Sequence, residues 1–344
     1  MRIKLFATWV ALASLFVLPG CCSLLSAKPL SIVAQEKSDQ PRVSAGEQKA
    51  AEAITSAPDA AAKLKAGAAF IKKYPKSTLR LPVARALAND IAAVKDVAQK
   101  ISLSQEYQGI FKEPSDQELI VPVLLDGYAD ANRFDEAFAT GTEFLKSNPD
   151  AIRVLVRLMV LGTDQAKQRN GKFVEQSLQY GAHAIQLIET KKIPAGMDET
   201  SWKHYEASVP GLYQSMGILN LVKGDRGEAK ARFTKATELA PADAFNYLML
   251  IDIFDAEYQD AAKRYQSMPS GKAKNDEYPK VVAALDKVID TLARAIALSE
   301  GNARLEQARQ QSIKDLEIYY KYRHNNSTEG MQQLIDKYKV TAKP

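Results

Sequence analysis

The sequence predicts an all-α fold, a curved α-solenoid built from antiparallel helical hairpins. Apolar residues recur at helical spacing along most of the chain. Glycine and proline are sparse, at 17 and 15 of 344 residues, and they lie mostly between the periodic segments, as expected for helices joined by short turns. A hydrophobic content of 46% provides either one large core or a long series of small ones.

Residues 1–20 have the pattern of a secretory signal. Arg2 and Lys4 precede an uncharged apolar run from Leu5 to Leu18. A basic start followed by an apolar run of this length is typical of exported proteins. We therefore expect the chain to be exported to the periplasmic side of a bacterial envelope.

The tetrapeptide LPGC at positions 18–21 resembles a bacterial lipobox, although Pro19 stands where a small residue is usual. The resemblance implies a lipoprotein-type signal, with Cys21 acylated and holding the protein on the inner or outer membrane. Two alternatives stay open. Cleavage near Ala27 or Ala34 would release a soluble periplasmic protein, and an uncleaved segment 5–27 is long enough to serve as a membrane anchor.

The segment that follows the signal lacks a sustained period. Residues 28–46 read KPLSIVAQEKSDQPRVSAG, with several breakers. Such composition is typical of a flexible linker. We expect residues 21–46 to be a tether and residues 47–344 to form one helical-repeat domain.

A similar helix end occurs twice in the first half of the chain. The first helical pair, from about Glu47 to Tyr74, ends with GAAFIKKYP at 67–75, and GTEFLKSNP recurs at 141–149. In both, a glycine lies three residues before a phenylalanine and a proline five after it. The recurrence indicates a degenerate helical repeat.

The segments around these two helix ends also have helical periodicity. We expect one long helix from Thr78 to Lys100 and a shorter one from Ser102 to Phe111. The following predicted elements are a helix from about Ser115, a turn at Asn132-Arg133 with a return helix, a pair at Ala151–Arg169 and Phe173–Ile188, and a connecting insertion at Lys191–Thr200.

The clearest hairpin is PGLYQSMGILNLVKGDRGEAKARFTKATELAP, from Pro210 to Pro241. It has two helices joined by a tight turn at 223–227. Gly217 and Ala229 are expected where the two helices cross closely, and Phe233 fills the space beside them.

The spacing of Tyr213, Gly217, Ala229, Phe233 and Pro241 resembles the tetratricopeptide repeat. The resemblance implies a right-handed superhelix of degenerate repeats that bind partner proteins. The junction FIKKYPKS at 70–77 is also similar to one in envelope tetratricopeptide proteins that assist outer-membrane barrel assembly or cell-wall growth.

In the final third, a helix from Ala242 to Tyr258 is apolar almost all round, as in a helix that is buried on several sides or lines a groove. We expect a polar loop at 267–276 and then helices at Tyr278–Leu298 and Asn302–His324. Asn326 and Glu329 predict a capping box that opens a short terminal helix.

Several function classes are disfavoured by composition and motifs. The net charge of +5 is spread along the chain without a dense basic block, so no nucleic acid partner is expected. Because the only cysteines are Cys21 and Cys22, the folded body can have neither a disulfide nor a thiolate metal site. His183, His204 and His324 lack companions at ligand spacing, and no catalytic or nucleotide-binding motif is present. We expect no enzyme activity, cofactor or metal.

The tetratricopeptide resemblance implies that side chains of the first helix in each hairpin line a concave, partner-binding groove. The positions that it assigns to the groove are Asp126, Asp130, Gln214, Ile218, Leu221, Leu248, Asp252 and Asp255. Such a lining would prefer a partner with basic and apolar side chains. Alternatively, the apolar members pack between helices and the aspartates are simply solvated.

The sequence therefore predicts a non-catalytic protein–protein interaction scaffold of the cell envelope, with a protein or peptide bound in the groove. The alternative is a periplasmic binding module for cell-wall glycan or another envelope polymer. That alternative uses the aromatic helix Phe245–Phe254 together with Tyr319, Tyr320 and Tyr322.

Overall fold

The computed structural model describes residues 43–194 and 197–339, and all regular elements in these ranges are helices. Consecutive helices pack against each other through short turns, which confirms the predicted all-α fold of antiparallel hairpins. The fourteen helices of the described ranges are α1 Ala45–Thr55, α2 Ala60–Lys73, α3 Arg80–Ala92, α4 Val97–Ile110, α5 Pro114–Asp130, α6 Phe134–Ser147, α7 Ile152–Lys167, α8 Val174–Glu189, α9 Glu199–Lys223, α10 Arg226–Leu239, α11 Ala244–Ser267, α12 Lys272–Leu298, α13 Glu306–Arg323 and α14 Met331–Asp336.

The predicted signal, Cys21 and the tether up to residue 42 lie outside the described residues. None of the helices that the structure describes is long and apolar enough to cross a membrane. The chain divides into two compact units. The N-terminal unit contains the described residues up to Asp164 together with Glu175–Glu206, and the C-terminal unit contains Gln165–Val174 and the described residues from Ala207 onward.

The first helices of the N-terminal unit begin at capped positions. Ser44 and Glu47 form a reciprocal capping box at α1, and Asp59 accepts a hydrogen bond from the Ala62 N–H at α2. These caps satisfy backbone donors that a helix start leaves without partners. The first five helices share one hydrophobic core. It includes the stacked rings of Tyr107 and Phe111, whose centroids are 4.5 Å apart.

The predicted single helix Thr78–Lys100 is wrong, because the chain forms α3 and α4 with a break between them. Asp96 accepts a hydrogen bond from the Gln99 N–H at 2.7 Å and starts α4. The apolar pattern continues across the break because Val94, in the connection, packs against the same core as α3. Periodicity alone therefore did not reveal the stop.

The C-terminal unit contains the hairpin with the clearest repeat pattern, formed by α9 from Ala207 onward and by α10. Ala229, Phe233 and Ala236 are fully buried, as expected. A Cβ atom added at Gly217 would lie 2.7 Å from Phe233 Cε1 and Cζ, so the close crossing is confirmed. The turn after α9 uses Gly224 at a φ of 90°, a left-handed conformation that favours glycine.

Two other predicted boundaries in this part of the chain, the starts of α9 and α12, are wrong. Helix α9 begins at Glu199 rather than near Pro210, so His204 lies within a helix. Helices α11 and α12 shorten the predicted loop 267–276 to residues 268–271. The polar residues after Gly271 form the first turns of α12. Most of them face solvent, so their polarity marks an exposed helix face and not a loop.

The predicted capping box at Asn326 and Glu329 is also absent. The Glu329 N–H donates to Ser327 Oγ at 3.1 Å, and Asn326 has a φ of 67°. The last helix, α14, begins one residue after Gly330, whose φ is 85°. The polar stretch is therefore a turn that precedes the helix.

Replacing Gly217 with alanine tests the close crossing in the α9–α10 hairpin. The added methyl group would contact three atoms of the buried Phe233 ring, so we expect a loss of about 1–3 kcal/mol in the free energy of unfolding. Gly109, also in a helix, has open space at its Cβ position. Gly109→Ala is the matched control and should stabilise by up to about 1 kcal/mol. Urea unfolding followed by circular dichroism measures both, and a Gly217→Ala protein as stable as the wild type would contradict the crossing.

Candidate functional site

An open groove lies among α11, α12 and α13 of the C-terminal unit, and we call it the tyrosine groove. It has a volume of about 380 Å³. Five tyrosines line it together with aliphatic and amide side chains. The lining residues are Tyr258, Gln259, Ala262, Tyr265, Gln266, Tyr278, Val281, Ile318, Tyr319 and Tyr322.

The groove exposes apolar surface that the fold does not need for its own core. Tyr322 is 73% exposed, Tyr278 is 55% exposed and Ile318 is 45% exposed. Single exposed apolar residues are common on protein surfaces, but three around one concavity are a feature of binding sites. The groove is therefore a candidate contact surface for a ligand or partner.

Ring contacts hold the groove in shape. Tyr258 meets Tyr319 edge-to-face, with ring centroids 6.0 Å apart and planes at 89°. Tyr265 and Tyr278, which also line the groove, have ring centroids 5.6 Å apart. Lys274 Nζ lies 5.0 Å from the Tyr265 ring centroid and donates a hydrogen bond to the Met268 carbonyl. These contacts pre-organise the lining before anything binds.

Asp255 adjoins the tyrosine groove through hydrogen bonds with Tyr319 and Gln259, and its charge interacts with those of Asp252 and Asp315. We call Asp252, Asp255 and Asp315 the acidic wall. The Tyr319 hydroxyl donates a hydrogen bond to Asp255 Oδ1, and Gln259 Nε2 donates to the same oxygen at 3.2 Å. Asp315 Oδ1 accepts from Gln311 at 3.0 Å. The wall thus connects directly to two residues that line the groove.

The acidic wall shifts the titration of its own members. Burial, reinforced by the charges of Asp255 and Asp315, raises the pKa of Asp252 to about 7. Burial also raises the pKa of Asp315, with a smaller contribution from Asp255. Burial and the hydrogen bond to Asp255 raise the pKa of the Tyr319 hydroxyl. Neighbouring negative charges and partial burial both disfavour the ionised form of a carboxyl group. A nearby cation would have the opposite effect and lower these pKa values.

The predicted groove residues lie in different places. Asp126 and Asp130 are on α5 of the N-terminal unit, where Asp126 pairs with Arg157 and Asp130 lies 3.0 Å from Lys100 Nζ. Of the six in the C-terminal unit, Asp255 contacts two residues of the tyrosine groove, and Asp252 belongs to the acidic wall through its charge interaction with Asp255.

The remaining four predicted positions contribute mainly to packing and local hydrogen bonds. Gln214 donates to Asp243 and Asn246, at 3.1 Å each. Leu248 is buried, and Ile218 and Leu221 are partly buried. Their assignment to a partner-binding surface remains a prediction.

The aromatic helix proposed as a glycan platform is unsuitable in its predicted form. Phe245, Tyr247 and Phe254 are buried, as are Tyr319 and Tyr320. Of the aromatic residues assigned to that platform, Tyr322 is the one that is well exposed. Tyr265 and Tyr278 were not among the site residues predicted from sequence. Both flank the polar segment 267–276, and a tyrosine beside a polar segment has little core to fill, which was the available signal.

Within the described ranges, no group of three or more histidine, cysteine, aspartate or glutamate residues is arranged to hold a metal ion.

No family model matches the chain, and no curated protein sequence matches it. Among solved structures, the chain is similar to a tetratricopeptide repeat protein from Parabacteroides merdae ATCC 43184. The similarity has a TM-score of 0.37 and a sequence identity of 13%, and it covers 84% of this chain and 95% of that one.

The raised pKa of Asp252 predicts a pH-dependent stability. The pKa of an aspartate is about 4 in an unfolded chain, whereas the pKa of Asp252 is about 7 in the folded protein. The folded state therefore binds this proton more tightly. The free energy of unfolding should therefore fall as pH rises between these two values. Asp252→Asn should remove this loss and stabilise the protein by about 1–3 kcal/mol above pH 7, with no gain below pH 4.

Urea unfolding at several pH values measures this dependence. Asp260→Asn removes an exposed carboxylate from the same helix and serves as the matched control. If Asp252→Asn and Asp260→Asn give the same dependence of stability on pH as the wild type, the pKa assigned to Asp252 is wrong.

Proposed function

We propose that this chain is a non-catalytic interaction scaffold that binds a segment of a partner protein in the tyrosine groove. The observation that carries the proposal is the exposure of Tyr278, Ile318 and Tyr322 around one concavity. Tyrosine is enriched among residues that dominate binding energy in protein interfaces, because it buries a large area with few torsions to fix.

The dimensions of the groove favour a short segment. A volume of about 380 Å³ accommodates one or two inserted side chains rather than a folded domain. Gln259 and Gln266, beside the tyrosines, offer donors and acceptors for the main chain of a bound segment. An inserted aliphatic side chain would bury the exposed face of Tyr322.

We place this scaffold at the bacterial envelope, exported and held by a lipid on Cys21. The support is the basic and apolar start of the chain and the LPGC motif at 18–21. Lipid attachment would keep the binding units next to a membrane while the tether sets their reach.

A cell-wall glycan is the second candidate ligand. The two most exposed rings of the tyrosine groove, Tyr278 and Tyr322, favour it because sugar faces pack on exposed aromatic rings. Isothermal calorimetry with soluble peptidoglycan fragments separates the two candidates. Heat that disappears in Tyr322→Ala would favour the glycan, and no heat would leave the protein segment as the ligand.

Site-specific photo-crosslinking tests the scaffold proposal. With a benzoylphenylalanine at position 322 or 278, we expect crosslinks to a discrete partner in cells of the native host. Leu239 is 45% exposed in the same unit but does not line the groove, so the same photoprobe at position 239 is the matched control. Equal crosslinking from 239, or none from 322 and 278, would contradict the proposal.

Two adjacent cysteines provide a sharp test of lipid attachment. Cys21→Ser should abolish labelling with radioactive palmitate and move the protein from the membrane to the soluble fraction. Cys22→Ser, one residue later, should retain both properties. Labelling that persists in Cys21→Ser would refute the assigned attachment site.

A further inference from the structure

The part of α11 that lines the tyrosine groove repeats a tyrosine–glutamine pair. Tyr258-Gln259 and Tyr265-Gln266 are seven residues apart, and Ala262 is the lining residue between them. Seven residues make two turns of an α-helix, so both pairs lie on one face, about 10.5 Å apart along the axis. Because the side chain of Ala262 is a single methyl group, α11 presents two tyrosines with a gap between them.

Each tyrosine of α11 belongs to a separate cluster of rings. In the first cluster, Tyr258 contacts Tyr319, and Tyr322 is close enough for its hydroxyl to interact with that of Tyr258. In the second cluster, Tyr265 contacts Tyr278. Each cluster has one well-exposed ring, Tyr322 in the first and Tyr278 in the second. The groove therefore offers two aromatic surfaces to a ligand.

The lining of the groove is uncharged, since none of its ten residues is acidic or basic. Two charged neighbours contact lining residues but already have hydrogen bonds. Lys274 Nζ donates to the Met268 carbonyl, and Asp255 accepts from Tyr319 and Gln259. A charged side chain that entered the groove would lose hydration and gain no oppositely charged partner in the lining. The lining therefore complements an uncharged, apolar ligand.

The glutamines favour a ligand whose main-chain carbonyls are free. Gln266 is exposed, and its side-chain amide has no hydrogen bond to the residues that the structure describes. Most carbonyls of an α-helical ligand are already paired within the helix, so they would leave this amide without a partner. A polyproline II segment has no internal hydrogen bonds, and its carbonyls can accept from a side-chain amide.

The period of polyproline II also fits the spacing along α11. This conformation has about three residues per turn and a rise of about 3.1 Å, so equivalent positions recur about every 9 Å. That distance is close to the spacing of about 10.5 Å between the two tyrosine–glutamine pairs. A β-strand returns a side chain to the same face about every 7 Å, which fits less well.

We propose that the tyrosine groove binds a proline-rich segment of the partner protein, in the polyproline II conformation and lying along α11. This inference rests on the proposed function and identifies the chemistry of its ligand. Each tyrosine cluster would pack against one proline ring, an aliphatic side chain between the two prolines would enter the gap at Ala262, and Gln266 would donate to a carbonyl. Because proline fixes φ near the polyproline II value, such a segment loses little conformational entropy on binding.

Selection from a displayed library of random dodecapeptides on the full chain tests the inference. Peptides enriched on the wild type should contain prolines three residues apart and no charged residue between them. They should not be enriched on Tyr322→Ala or Tyr278→Ala, which remove the exposed ring of each cluster. Leu239→Ala removes an exposed apolar side chain outside the groove and is the matched control.

A synthetic copy of the most enriched peptide tests the conformation. Replacing its two spaced prolines with alanine should weaken binding about tenfold, because the free peptide is then no longer pre-organised. Gln266→Glu keeps the shape of the side chain but removes its N–H donors, and it should weaken binding about threefold to tenfold. Gln333→Glu makes the same change at an exposed position of α14 outside the groove and should have no effect.

The outcomes separate the two proposals. Peptides that need Tyr322 but lack the proline period, or that bind as tightly after proline is replaced with alanine, would overturn the proline-rich ligand and leave the scaffold function standing. Unchanged affinity in Gln266→Glu would overturn the main-chain contact from which the conformation is inferred. If no peptide is enriched in a way that depends on Tyr322 or Tyr278, both proposals fail.

Discussion

The fold depends on how closely paired helices approach each other at small residues. A Cβ atom at Gly67 would lie 2.5 Å from Leu87, and one at Gly141 would lie 2.8 Å from Leu158. At Gly217 the ring of Phe233 occupies the same place. In each case a large side chain of the next helix fills the space that the glycine leaves. Because interiors are close-packed, neither partner can change size alone without moving a helix.

This constraint explains which parts of the fold could be predicted from sequence. Gly217, Ala229 and Phe233 have fixed spacing and fixed sizes, so the hairpin that contains them was identified correctly. Helix ends were harder to predict, because they depend on single caps such as Asp96 or on which face is exposed. The break before α4 and the start of α12 are both invisible to a pattern that counts only apolar residues.

The candidate site was predicted only in part. The tetratricopeptide resemblance assigned Asp252 and Asp255 to a partner-binding groove, and both form part of the acidic wall. The tyrosine groove is lined by residues from three different helices. The sequence pattern of any one helix therefore could not predict it. Conversely, Asp126 resembles these residues in sequence, yet it pairs with Arg157 from another helix. Pairing across helices decides whether an aspartate is available to a ligand, and that depends on tertiary structure.

The pattern of helix contacts has a consequence for how the chain folds. Within each unit, helices pack mostly against the next one or two along the sequence, as α11 does against α12 and α12 against α13 and α14. Contacts between residues close in sequence cost little loop-closure entropy, and folding is fast when such contacts dominate. Each unit therefore has several places where a nucleus can form, and neighbouring hairpins can add to it in turn. Newly synthesised chains of this type therefore spend little time with apolar helix faces open to aggregation.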